Sequence, residues 1–209
     1  NEVAPLGYAV QWFHDPDLPP DQARTYVSSR NHGAIIELGN ISPDSEAFII
    51  AHELAAIVIV ARGYPNDVVY FQPQYANIAR HLLNMIDVPL RDSILARYGF
   101  DVRKEYTQMA APLFSTPCNG DPSDSIALLD NGCGFARLVL YWQDVLGNHG
   151  VPCDVQNRFL QCYPKSLAKG CEILATINDT KGYDTPAKTR AIFRAIIDDN
   201  QLQYYICVP

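Results

Sequence analysis

His52 and Glu53 lie side by side in the middle of an apolar stretch that runs from Ala47 to Ala61. This stretch is apolar on nearly every face, which is typical of a helix packed at the centre of a protein. An ionised carboxylate there costs free energy unless it is paired, hydrogen-bonded, protonated or directed into a polar cleft. The pair is the strongest indication of chemistry in the sequence, because imidazole nitrogens bind metal ions and carboxylates remove protons from water.

The run Ile50–Leu54, with the sequence IAHEL, resembles the start of the zincin metallopeptidase motif H-E-x-x-H. In zincins, two histidines one helical turn apart bind zinc, and the glutamate activates the metal-bound water. The segment Arg62–Pro65 after the helix is also similar to zincin-like proteins, as are residues 82–87 and 97–101. The resemblance covers about residues 30–105 and implies a zincin-like helical core.

The chain departs from this motif where the second histidine is required. That position, four residues after His52, is Ala56, whose methyl group cannot bind a metal ion. Catalytic zinc usually takes three protein ligands and keeps a place for water, so the loss of one ligand weakens affinity and geometry. We therefore expect a degenerate zincin-like protein without ordinary peptidase activity. It would bind a peptide or protein through the relic cleft and need no cofactor.

An active metal-dependent hydrolase is the first alternative. In it, His52, His81 and Asp87 would bind zinc in a remodelled site, and Glu53 would act as the general base. This alternative requires that the three ligands converge on one ion. Otherwise His81 is an ordinary polar residue on a helix that meets water.

A structural or assembly protein is the second alternative. Here the buried His52 and Glu53 would only order the core, tied to backbone groups or to Arg80 or His81. A histidine and glutamate without the second histidine lack the feature that makes the motif specific.

All six cysteines lie in the C-terminal half, between Cys118 and Cys207. They contain no C-x-x-C pair, which argues against a zinc ribbon. Disulfides and small buried thiols both remain open. A cytoplasmic location is expected if the thiols stay reduced, and a secreted one if the six pair.

The composition favours one domain over residues 1–209, because 209 residues with 48% hydrophobic content can bury one sizeable core. The net charge of -7 argues against nucleic acid as a partner. No apolar run reaches the roughly 18 residues that a membrane span requires. The sequence does not indicate an oligomeric state.

The pattern of periodicities and turn residues predicts a predominantly helical α+β fold with a small sheet. Ser42 and Pro43 are expected to begin the central helix, and a Pro-rich loop over 111–124 precedes a helical C-terminal part over about 125–209. The predicted helices cover about 42–62, 74–86, 90–98, 125–146, 155–177 and 186–198. The predicted strands cover 8–13, 33–38 and 203–208.

Overall fold

The computed structural model describes residues 6–28 and 31–209. Residues 1–5, 29 and 30 of the predicted domain lie outside the described residues. The strands are β1 (Ala9–His14), β2 (Ala23–Ser28), β3 (Gly33–Leu38), β4 (Val69–Tyr70) and β5 (Ile206–Cys207). The helices are α1 (Pro43–Ala61), α2 (Ala76–Arg97), α3 (Arg103–Ser115), α4 (Ser125–Leu140), α5 (Cys153–Cys162), α6 (Pro164–Asp179) and α7 (Pro186–Asp199). The predicted fold class, a mainly helical α+β protein with a small sheet, is confirmed.

The larger sheet has the strand order β1-β3-β2. Strand β1 runs parallel to β3, whereas β2 runs antiparallel to it. Ala34 and Ile36 of β3 are buried in one hydrophobic cluster with Ile57 and Ile59 of α1. The sheet therefore fixes the orientation of the helix that carries His52 and Glu53.

The start of α1 is fixed by its contact with the residues before β2. Pro43 occupies the first turn, as predicted, but the Ser42 side chain makes no capping hydrogen bond. Instead, the Ser42 backbone N–H donates to Asp21 Oδ1 over 2.7 Å. This bond connects the residues just before β2 with the start of α1.

Helix α2 is continuous through Pro89, so the predicted break at this residue was wrong. A proline in a helix interior removes a backbone donor and clashes with the preceding turn. Here Pro89 itself is buried, and Ile86, Ile94 and Leu95 on both sides of it are almost completely buried. Packing of α2 against both α1 and α4 outweighs the local cost.

The single helix expected over 155–177 is two helices, α5 and α6, separated at Tyr163. Pro164 takes the first turn of α6, and the residue before a proline is disfavoured in a helix. By contrast, α7 begins as predicted, with Thr185 accepting a capping hydrogen bond from the Lys188 N–H.

The predicted loop over 111–124 begins later than expected, because α3 extends to Ser115 with Pro112 inside it. The remaining loop is tied to α5 and α6. Cys118 forms a disulfide with Cys162, and Asp121 accepts hydrogen bonds from the backbone N–H groups of Lys165 and Ser166. The other four cysteines are free, and of them only Cys133 is buried.

Helices α4 and α6 cross at two glycines. A Cβ built on Gly132 would lie 3.1 Å from the backbone N of Gly170, and one built on Gly170 would lie 2.5 Å from the Phe135 ring. Such distances are too short for normal packing, so this crossing requires the absence of a side chain at both positions. Gly134, in the same helix as Gly132, faces open space instead.

We predict opposite effects of alanine at the two glycines of α4. Gly134→Ala should stabilise the protein by about 0.5–1 kcal/mol, because alanine has the higher helix propensity and the new methyl meets nothing within 4 Å. Gly132→Ala should destabilise it by about 1–3 kcal/mol, because the methyl forces α4 away from α6. Urea unfolding of the two variants measures both effects. Equal stability of the two variants would contradict the close crossing.

Among the helices of residues 6–28 and 31–209, none is long and apolar enough to cross a membrane.

Candidate functional site

A cleft lies beside His52 and Glu53. It has a volume of about 630 Å³ and is bounded by the N-terminal half of α1, the entry to β2 and the first turns of α3. Phe48 and Phe100 form its apolar part, and their rings meet edge to face at 6.1 Å. We call this space the His52 cleft.

Both ring nitrogens of His52 face protein carboxylates. The Nδ1 atom lies 3.2 Å from Glu53 Oε1, and the Nε2 atom lies 3.8 Å from Asp92 Oδ1. Phe48 stacks on the imidazole with a centroid distance of 6.2 Å. A metal ion at either nitrogen would have to displace a contact with a carboxylate or share that carboxylate as a ligand.

Glu53 is 8% exposed and contacts two basic side chains. Besides His52, the guanidinium of Arg91 lies 4.0 Å from Glu53 Oε1. Burial raises the pKa of Glu53, but hydrogen bonding by His52 and the charge of Arg91 outweigh burial and lower that pKa below its ordinary value. Glu53 is therefore ionised at neutral pH. The structural alternative expected backbone groups, Arg80 or His81 as partners of the pair. The packing of α1 on α2 instead brings Arg91 to Glu53.

Asp92 differs from Glu53, although both contact His52. It is 1% exposed, and its Oδ1 atom has no hydrogen-bond donor among the described residues. Burial raises the pKa of Asp92 and outweighs the favourable charges of His52 and Arg91. Burial also raises the pKa of Glu105, which lines the cleft, and the nearby Asp92 adds to this shift. The two carboxylates on either side of the imidazole thus have opposite pKa shifts.

The lining of the His52 cleft is predominantly acidic. Its titratable members are five carboxylates, one lysine and one histidine, namely Asp21, Asp44, Glu53, Asp101, Glu105, Lys104 and His52. Asp21, Asp44 and Asp101 are exposed at its mouth. The negative charge attracts cations and cationic side chains to this part of the surface.

The three proposed zinc ligands have different partners. The His81 Nδ1 atom contacts Asp130 Oδ1, and His81 lines a second cavity rather than the His52 cleft. Asp87 is 7% exposed and forms an ion pair of 2.5 Å with Arg91. Only His52, with the proposed general base Glu53, lines the cleft. The structure does not bring His81 and Asp87 to His52 in one site.

Within the described ranges, no group of three or more His, Cys, Asp or Glu residues is arranged to hold a metal ion. Ala56 is 3% exposed and packs in the core, so the side chain at the second histidine position supplies no donor to the cleft. The lowered pKa of Glu53 makes it a weak proton acceptor, whereas a general base is most effective when its pKa is near the working pH. The arrangement is suited to binding a cationic group by charge.

Sequence reasoning missed Arg91, Asp92, Asp101 and Glu105. The ion pair of Asp87 with Arg91 had a visible signal, because acidic and basic residues four apart in a helix interact. Asp92 had none, since its contact with His52 depends on how α2 packs against α1.

No family model matches this chain, and no curated protein or solved structure matches it.

Proposed function

We propose that this chain is a non-catalytic, degenerate zincin-like protein that binds a basic peptide segment in the His52 cleft. The observation that carries the proposal is the excess of carboxylates in that cleft, five against one lysine and one histidine. A cleft with one sign of charge raises the local concentration of ligands with the opposite charge.

The shape of the cleft supports a peptide as the ligand. Its volume of about 630 Å³ is within the range of roughly 300–1,000 Å³ that ligand pockets occupy, which is enough for one long side chain. Phe48 and Phe100 offer apolar contact beside the acidic groups. A lysine or arginine side chain combines an aliphatic stem with a cationic end and so matches both parts.

The chemistry of His52 and Glu53 supports binding over hydrolysis. Hydrolysis in zincins needs a metal-bound water and a carboxylate that accepts its proton. Glu53 is instead engaged by His52 and Arg91, and its pKa is lowered. Such a carboxylate is poorly suited to accept a proton from water.

We predict that a labelled peptide of alternating Lys and Ala binds, and that a Glu and Ala peptide of equal length does not. Fluorescence anisotropy at 50 mM and 500 mM salt measures the affinity, which should fall at the higher salt because the charges are exposed and screened. Replacing Asp101 by Asn together with Glu105 by Gln should weaken binding at least fivefold, or about 1 kcal/mol.

Asp199→Asn is the matched control, because Asp199 is an exposed carboxylate on α7, none of whose residues lines the cleft. Equal binding of the two peptides, or equal loss with Asp199→Asn, would overturn the proposal. Mass spectrometry of the same mixtures after addition of zinc should show intact peptide. Peptide hydrolysis that Glu53→Gln abolishes, together with one tightly held zinc ion per chain, would instead support the metal-dependent hydrolase.

A further inference from the structure

A second cavity, of about 220 Å³, lies among α2, α3, α4 and α5 and shares no lining residue with the His52 cleft. Its polar wall is one face of α4, where Asp130, Gly134 and Arg137 follow at spacings of four and three residues. His81 of α2 completes this wall through its contact with Asp130. We call this space the Arg137 cavity.

Arg137 is half-buried, and its Nε atom is fully buried with no hydrogen-bond acceptor in the described part of the chain. A buried donor without an acceptor costs about 1–3 kcal/mol, and more when the group is charged. Asp130 attracts the guanidinium through its charge, while its own Oδ1 atom is engaged by His81 Nδ1. The Nε atom of Arg137 is therefore a buried charged donor beside the cavity that has no acceptor among the described residues.

Most of the remaining lining is apolar. It includes Leu113 of α3, Leu138 of α4 and Phe159 of α5, the last two almost completely buried. Pockets that bind small molecules commonly combine such a wall with a few polar groups that fix the ligand's orientation. The volume is below the range typical of drug-sized ligands, which restricts the occupant to a small molecule.

Gly134 leaves the cavity open at the backbone of α4. A Cβ at this position would meet no atom within 4 Å, so the open volume reaches the backbone of α4. The glycine is in the interior of a helix, where alanine would be more stable. Gly134 therefore lowers the stability of α4 at the position where a side chain would enter the cavity.

We propose that the Arg137 cavity binds a small aliphatic monocarboxylate. The carboxylate of this ligand pairs with the Arg137 guanidinium, and its aliphatic chain packs against Leu113, Leu138 and Phe159. A guanidinium and a carboxylate make charge-assisted hydrogen bonds in a geometry that suits both groups. A simple carboxylate is favoured over an α-amino acid, because the Asp130 carboxylate that would receive the ammonium group lies against His81 Nδ1.

Titration calorimetry with 4-methylpentanoate tests the proposal on the whole chain. Binding should be saturable with one site, and 4-methylpentan-1-ol, which lacks the carboxylate, should bind at least tenfold more weakly. Arg137→Gln should weaken 4-methylpentanoate binding at least tenfold, whereas Arg194→Gln, the same change at an exposed position on α7, should leave it unchanged.

Two glycine variants test the location independently of Arg137. Gly134→Leu should abolish binding by filling the cavity, and Gly134→Ala, which is expected to fold at least as well as the wild type, should weaken it. The proposal is wrong if folded Arg137→Gln binds normally, or if both Gly134 variants do. Tighter binding of L-leucine than of 4-methylpentanoate would overturn the choice of a simple carboxylate. Glu105→Gln should not change this affinity, so the result is separate from that for the His52 cleft.

Discussion

Replacing Glu53 by Gln should destabilise the protein by about 2–3 kcal/mol at pH 7, which is less than the 3–5 kcal/mol typical of a broken buried ion pair. The smaller value follows because Arg91 keeps its ion pair with Asp87 when Glu53 loses its charge. His52 loses the carboxylate at 3.2 Å and keeps only the contact of 3.8 Å with Asp92. Urea unfolding at constant salt measures the change.

The effect of Glu53→Gln should depend on pH. The pKa of Glu53 is lower in the folded protein than its ordinary value near 4.5, so the ionised form stabilises the fold above that value. This contribution is lost as the pH falls through the folded pKa. The wild type and Glu53→Gln should therefore become more similar in stability as the pH falls from 7 to 3.

Asp92→Asn is the matched variant, and its stability relative to the wild type should change with pH in the opposite direction. The pKa of Asp92 is raised above its ordinary value of 3.8, so ionisation of Asp92 costs stability as the pH rises from that value through the folded pKa. Relative to the wild type, Asp92→Asn should gain stability between pH 3 and pH 7, whereas Glu53→Gln should lose it. The same trend with pH in both variants would contradict the different roles of the two carboxylates.

Reduction of the disulfide between Cys118 and Cys162 should also have a large effect. The bond closes a loop with a sequence separation of 44 residues. Closing a loop of that length lowers the entropy of the unfolded chain, which stabilises the folded protein by about 4 kcal/mol. Urea unfolding with and without reductant, and of the double variant Cys118→Ser and Cys162→Ser, measures the loss.

Cys171→Ser provides the control, because Cys171 is a free and exposed thiol on a helix that borders the same loop. It should change stability by no more than about 0.5 kcal/mol, as surface substitutions usually do. Hydrogen bonds from Arg158 to the carbonyl oxygens of Leu113, at the end of α3, and Thr116, at the start of the loop, also hold this region. A reduced protein that unfolds at the same urea concentration would mean that these bonds alone set the stability of this region.

The fold class was predictable because helix signals in this chain are local. Thr185 followed by Pro186 marks the start of α7, and the structure contains that cap. Strand β2, with the sequence ARTYVS, was not predicted, although it forms the edge of the sheet beside β3. Pro89 misled the prediction because burial of α2 on two sides overrides a local rule.

The site was only partly predictable. His52 and Glu53 stood out because two ionisable residues interrupt an apolar helix, and both line the His52 cleft. His81 and Asp87 are six residues apart, which places them about 120° apart around the axis of one helix. This spacing alone argues against the binding of one metal ion by both His81 and Asp87. The partners Arg91 and Asp92 depend on how α1 and α2 pack, which spacing along the chain does not show.

The crossing of α4 and α6 also restricts how this chain can evolve. Gly132 and Gly170 approach so closely that neither has room for a methyl group. A methyl group at position 170 would meet the Phe135 ring first, and one at position 132 would meet Lys169 and the backbone of Gly170. Descendants of this sequence can therefore lose either glycine only if the two helices move apart or the neighbouring side chain changes with it.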